Sequence, residues 1–207
     1  QREAIQSARR VSNPGCYAPG AIALIRPLID AGLLPADFPL CLPSVSGYSG
    51  GGRPMIEAYE KGTAAAFELY GLGLKHKHIP EIMTYTGLQR RPLFVPSVGN
   101  FRQGMLVQLP LHLDLLPGQP TAADLQAALI RHYADSQWVT VAAPTADNKL
   151  DAEALADTNR MELRVFGNQD ASDGFQHAVL VARLDNLGKG ASGAAVQNLE
   201  LMLGLAQ

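Results

Sequence analysis

The chain has 207 residues, 47% of them hydrophobic and 17% charged, with a formal net charge of −2. That length allows one large domain or two small ones, and the composition excludes disorder. No basic run points to nucleic acid or an anionic membrane, no apolar stretch is long enough to span a bilayer, and the polar start QREAIQSARR is no signal peptide. Two cysteines, Cys16 and Cys41, make neither a disulfide framework nor, without paired Cys/His spacing, a structural metal site. We expect a protein of a reducing compartment, and the lack of an initiator Met suggests a chain that starts inside a longer protein or has been processed.

In chain order, residues 1–9 read as the end of a helix and Arg10 to Ser12 as a short strand entering the turn Asn13-Pro14-Gly15-Cys16. Ala21, Ile22, Ile25, Leu28 and Ile29 then recur at helical spacing, with Gly32 as C-cap. Residues 38–46 read as a strand and 54–70 as a helix. Residues 72–78 read as a strand, because Leu72, Leu74, His76 and His78 alternate at period two. Pro80 and Glu81 suit the first turn of a short helix. The strand signal is strongest at 104–114, where Met105, Val107, Leu109, Leu111 and Leu113 alternate with mostly polar residues. Thr121 and Asp124 resemble a capping box opening a helix to about Tyr133. Strands at 161–167 and 177–184, a Gly-rich turn at 186–192 and a helix at 193–205 complete the chain. This order predicts an α+β fold, a mostly antiparallel or mixed sheet with helices packed on it.

Four places can carry chemistry. Cys16 is expected at a helix N-terminus, where the helix dipole and free N–H groups favour a thiolate and can stabilise an oxyanion; the bland alternative is a small buried thiol that merely packs. Cys41, within a strand pattern, is expected to be inert. His76 and His78 can exchange protons with a thiol and its leaving group, or hold a metal, although no third ligand stands out. Ser46, Gly47, Tyr48, Ser49 and the glycines up to Arg53 can cradle an anion, or form only a flexible turn. Asn100, Arg102 and Gln103 can face the same substrate. Asn186, Gly188 and Lys189 precede the last helix but do not match a nucleoside-triphosphate loop. His112, His132 and His177 are expected to be surface or core residues, with no metal site.

Taken together, Asn13-Pro14-Gly15-Cys16-Tyr17 with Gly20, VSGYSGGGR (45–53), KHKHIPEI (75–82), PSVGNFRQGMLVQLPLHL (96–113) and LDNLGKGASGAAVQN (184–198) resemble, in order, the blocks of N-acetyl-gamma-glutamyl-phosphate reductases. The SGYSGGG and PSVGNF forms are most similar to the shorter, second type. Pro19 departs from the family, which usually has Thr there. The resemblance implies a catalytic domain like the C-terminal domain of glyceraldehyde-3-phosphate dehydrogenase over 1–183, and a loop and helix at 184–207 that pack toward a dinucleotide-binding domain. It implies NADPH as hydride donor, Cys16 as nucleophile, and His76 or His78 as acid/base. It also implies substrate contacts from Ser46, Gly47, Tyr48, Ser49, Arg53, Asn100 and Arg102, and cofactor contacts from Gly15, Asn186, Gly188 and Lys189. A homo-oligomeric enzyme of arginine biosynthesis in the cytoplasm, acting on a small molecule, follows from it. No GxGxxG precedes Cys16, so NADP(H) is expected to be bound mainly by a domain absent from this chain, leaving the fragment inactive alone. Rival readings are a Cys/His acyl hydrolase or transferase and a non-catalytic assembly domain.

Overall fold

The computed structural model describes residues 1–168, 172 and 174–205. Seven strands form one mixed sheet: β1 (Cys41–Gly47), β2 (Phe67–Leu69), β3 (Leu93–Gly99), β4 (Met105–His112), β5 (Val139–Val141), β6 (Met161–Gly167) and β7 (His177–Leu184), in the order β2-β3-β1-β4-β7-β6-β5. β1 runs parallel to β3 and β5 to β6; the other neighbours are antiparallel, as the α+β reading expects. Six α-helices accompany it among the described residues: α1 (Arg2–Ser7), α2 (Tyr17–Asp30), α3 (Gly52–Glu60), α4 (Ile79–Thr86), α5 (Ala122–His132) and α6 (Gly193–Met202).

The alternation of β4 decides which face is the core. Met105, Val107, Leu109 and Leu111 are buried with Leu163, Val165, Leu180 and Ala182 of the neighbouring strands. α2 and α5 cover this face, and α4 packs against α2. α2 is apolar along most of its length because it is sandwiched between sheet and neighbouring helices. Pro27 inside it cannot donate to the Ala23 carbonyl four residues back. The Tyr133 hydroxyl donates to that carbonyl instead, at 3.0 Å. The Thr121–Asp124 capping box is present at α5, with reciprocal bonds of 3.2 Å and 2.8 Å.

Four local expectations are corrected. Arg10 to Ser12 pairs with no strand among the described residues. The helix expected over 54–70 ends at Glu60, after which Gly62 takes a left-handed φ and Phe67–Leu69 joins the sheet edge. Residues 72–78 form turns rather than a strand: Leu72 and Leu74 face solvent while His78 is buried, so their period-two pattern reflects no pleat. The final helix stops at Met202, and residues 206–207 of the predicted closing segment lie outside the described residues. No helix among the described residues is long and apolar enough to cross a membrane.

Candidate active site

Cys16 is the residue immediately before α2, in a turn closed by the Ala18 N–H donating to the Gly15 carbonyl at 3.0 Å. Pro19 falls in the first helical turn, where backbone N–H groups have no intrahelical partner, so its ring and missing donor are accommodated. Two pieces of distant chain close on the turn. From α4, the Gly15 N–H is captured by Glu81 Oε2 at 2.9 Å, and the His78 ring lies directly against Gly15. A Cβ on Gly15 would stand 1.8 Å from His78 Nε2, so no side chain fits there. From the other side comes a wide helical turn, Gly188–Ser192, whose N–H groups reach five residues back (Gly190 to Asp185 and Ser192 to Leu187, both 2.8 Å). It sets Gly190 against Cys16, where an added Cβ would lie 3.1 Å from the cysteine Cβ. Asn13 ties the two together, donating to the Ala191 carbonyl at 2.9 Å and accepting from Asn198 at 2.9 Å.

The histidines differ. The His78 backbone N–H donates to His76 Nδ1 at 3.2 Å, which puts the proton of neutral His76 on Nε2. The rings meet at 4.5 Å and 72°. His78 is 4% exposed, and its Nδ1 has no hydrogen-bond partner among the described residues. Tyr17 beneath them is buried; its hydroxyl donates to the Ser97 carbonyl at 3.0 Å and accepts from Tyr70 at 3.2 Å.

Burial reverses the electrostatic expectation for Cys16. It pushes the Cys16 thiol up to about 11, although the N–H groups of Cys16 and Tyr17 and the charge of Lys77 pull the other way; Glu81 adds to the rise. Burial, His76 and Lys77 push His78 down to about 4, and burial with Lys77 lowers His76 as well. At neutral pH the site therefore holds a thiol beside neutral imidazoles. The helix N-terminus is present, but it does not outweigh desolvation.

The turn opens on a cleft of about 540 Å³. The structure brings Gly15, Cys16, His76, His78, Ser46, Gly47, Ser49 and Asn186 to its lining. Asn186 is 2% exposed and fully engaged, accepting from the Gly104 N–H at 2.8 Å and donating to the Ser49 hydroxyl at 2.9 Å. Other expected site residues lie outside the lining. Tyr48 stacks on Tyr59 at 4.7 Å. Arg53 points to solvent and pairs with Glu57 at 2.8 Å. Asn100 and Arg102 are exposed in a loop whose contribution is backbone, the Arg102 carbonyl accepting from the Ser49 N–H at 3.0 Å. Gln103 is buried between Asp157 and Asp185, at 2.8 and 2.9 Å. Gly188 packs on the Thr158 carbonyl, and Lys189 turns inward to Gln197 and over the Trp138 ring.

The expected anion cradle also narrows. The N–H groups of Gly47, Tyr48, Ser49 and Gly52 are spent on Gly104, Phe101, Arg102 and Ser49, and Gly50 and Gly51 lie inside the 3-10 turn Tyr48–Gly51, so the loop's contribution to the lining is close backbone rather than a row of free donors. Sequence reasoning missed Lys77, the one cation among the described lining residues, together with Tyr17, Tyr70, Gly190 and the anchoring Glu81. Lys77 stands between the two histidines of KHKH, a signal already in view. The others follow only from contacts between distant segments.

Residues 16–186 match the family model described as semialdehyde dehydrogenase, dimerisation domain. The N-acetyl-gamma-glutamyl-phosphate reductases of Burkholderia lata and Brucella ovis are 52% and 54% identical to the chain. Each comparison covers 99% of this chain, and 65% and 67% of the respective relative, so the chain spans about two thirds of their length. Among solved structures, aspartate semialdehyde dehydrogenase II from Vibrio cholerae superposes with a TM-score of 0.72 at 17% identity, over 98% of this chain and 66% of that one. A probable aspartate-semialdehyde dehydrogenase from Pseudomonas aeruginosa gives 0.69 at 17%, over 98% and 66%. At these identities the likeness is one of fold, the GAPDH-like C-terminal fold that the motif blocks imply.

Proposed function

Since the chain belongs to the N-acetyl-gamma-glutamyl-phosphate reductase family and carries its semialdehyde dehydrogenase dimerisation domain, we propose that it supplies the thioester-forming half of an NADPH-dependent reduction of N-acetyl-gamma-glutamyl phosphate to N-acetyl-glutamate semialdehyde. One observation carries this reading: Cys16 sits on the cleft wall between an imidazole packed on Gly15 and the open backbone of Gly190. The Cys16 sulfur attacks the acyl carbon, the carbon–oxygen bond to phosphate breaks, and phosphate leaves. His78 is the acid/base, because its ring abuts the cysteine turn and it is neutral near pH 7. It takes the thiol proton as the sulfur attacks, since a thiol held up at about 11 forms little thiolate beforehand. His76 orients it through the bond to its backbone N–H. Lys77 draws the anionic substrate into the cleft.

NADPH, when bound, supplies the hydride that reduces the thioester. Leu187, Gly190 and Ala191 line the cleft beside Cys16 and would form the wall its nicotinamide meets. Gly188 and Lys189 face inward and are poor candidates for its phosphates. This supports a cofactor held mainly by residues outside these 207, with the exposed Val196, Leu199 and Leu203 of the 184–207 segment turned toward them. The family name and an outer sheet face carrying exposed Val179 support a homo-oligomer, and a biosynthetic role supports the cytoplasm.

Labelling by an acyl-phosphate analogue is the test. Cys41 opens β1, about 20 Å along the strand from Gly47 at ~3.3 Å per residue. Label is expected to vanish in Cys16→Ala and persist in Cys41→Ala; the reverse pattern refutes the assignment.

A further inference from the structure

A second cluster of ionisable side chains forms at the far end of β4 and β7. His112 closes β4 and pairs across the sheet with His177, the first residue of β7. Their rings meet edge to face at 4.7 Å and 86°. Asp114 follows in the turn after β4. One imidazole nitrogen from each histidine and one Asp114 oxygen lie within 4.8 Å of one another. The Asp114 Oδ1 is buried and has no hydrogen-bond partner among the described residues. An unpaired carboxylate oxygen out of water is costly, and this one belongs to the carboxylate that the two imidazoles face.

We propose that His112, Asp114 and His177 form a binding site for a late first-row divalent cation, with Zn2+ as the representative ion. Two imidazoles and one carboxylate suit zinc, copper or nickel better than calcium or magnesium, which take oxygen shells. Nitrogen and oxygen ligands at ~2.0–2.1 Å around one tetrahedral ion stand about 3.3 Å apart, so closing from 4.8 Å asks only for side-chain rotation. Both histidines are exposed, which leaves the remaining coordination positions to water.

The backbone behind the ligands is already fixed. The His177 N–H donates to Asn168 Oδ1 at 2.8 Å, and the Leu113 N–H donates to the Gln176 carbonyl at 2.7 Å. Little ordering is then left for the ion to impose. The site is remote from the cleft. β4 begins at Met105, next to the Gly104 that holds Asn186, and seven residue steps at ~3.3 Å place His112 about 23 Å along the strand. A bound ion would tie the end of β4 to the start of β7 without touching Cys16.

The test titrates the full chain with Zn2+ by calorimetry and with Co2+ by visible absorption, in a Cys16→Ser background so that no cleft thiolate competes. One ion per chain is expected, with cobalt ligand-field bands and no thiolate charge-transfer band. His112→Ala and His177→Ala are each expected to weaken binding at least ~100-fold, since even groups that only orient a ligand are worth 10–100-fold. Asp114→Asn is expected to weaken it at least ~10-fold. Both histidines are exposed, and metal-free melting temperatures near the parent's will show that the variants fold. Zn2+ binding of unchanged affinity in His112→Ala and His177→Ala overturns the proposal, as does the absence of any bound ion in the parent. Iodoacetamide labelling of Cys16 in His177→Ala with Cys16 intact is expected to match the parent, which keeps this outcome separate from the reading of the cleft.

Discussion

The wall of the cleft that carries Cys16 and Asn186 is made of buried, internally bonded chain: Asn186 bridges Gly104 and Ser49, and Gln103 joins Asp157 to Asp185. The facing wall, α3 with the segment running to His76, is built the other way. α3 and β2 contain no buried residue, and Arg53, Phe67 and Lys77 all meet solvent. Groups that must hold position to fractions of an ångström sit on rigid supports, while segments of low local stability can adjust around a ligand. Cys16, the proposed nucleophile, belongs to the first wall and Lys77, the proposed substrate-gathering cation, to the second.

The largest effect that sharpens this contrast is expected from Asn186→Ala, which strands a buried N–H and a buried hydroxyl. At ~1–3 kcal/mol for each unmet group, urea unfolding should show a loss of about 4 kcal/mol. Arg53→Ala on the facing wall should cost less than ~0.5 kcal/mol, and comparable losses from the two changes would break the contrast. Acid comes next. His78 titrates at about 4 in the folded chain against an ordinary value of 6.5, so the unfolded chain takes up its proton first as pH falls. That contribution is fully present above pH 6.5 and is lost down to about pH 4, amounting to about 3 kcal/mol at ~1.4 kcal/mol per pH unit. Unfolding free energies of His78→Gln should lack this part of the acid slope.

Smaller effects concern the thiol. The rate of Cys16 alkylation should rise about tenfold per pH unit from 7 and level off near 11, because only the thiolate reacts. A plateau below pH 8 would mean that burial does not govern it. Glu81→Gln removes a charge that raises the thiol while leaving an oxygen for the Gly15 N–H, so alkylation at pH 8 should speed up a few-fold. Lys77→Gln should slow it by about the same factor, since Lys77 lies on the exposed wall where water screens its charge.

The two walls also differed in how far they could be read from sequence. β4, β6, β7 and the α5 capping box were legible because each has one wet and one buried face or a local hydrogen-bond signature, and α2 because its apolar residues recur at helical spacing. β3 went unread: it is buried for most of its length, so it shows no alternation, and Pro96 within it argues against a strand. The stretch from 61 to 78 was misread as the end of a helix and then a strand, because exposed Leu72 and Leu74 mimic a pattern that no core enforces. At the site, Cys16 and the His76/His78 pair carried recognisable motifs. Loop position and the family blocks suggested Arg53, Asn100 and Arg102, whereas the roles of Glu81, Asn186 and Gly190 rest on contacts across more than sixty residues.

The clasp between Asn13, Ala191 and Asn198 has a consequence for synthesis. The cysteine turn emerges from the ribosome well before the segment that shields it, which lies far downstream in the chain. Until that segment has emerged, the thiol lacks the Gly190 backbone that confines it in the finished fold. Its reactivity toward oxidants should therefore be greatest in the nascent chain and fall once residues 186–198 dock.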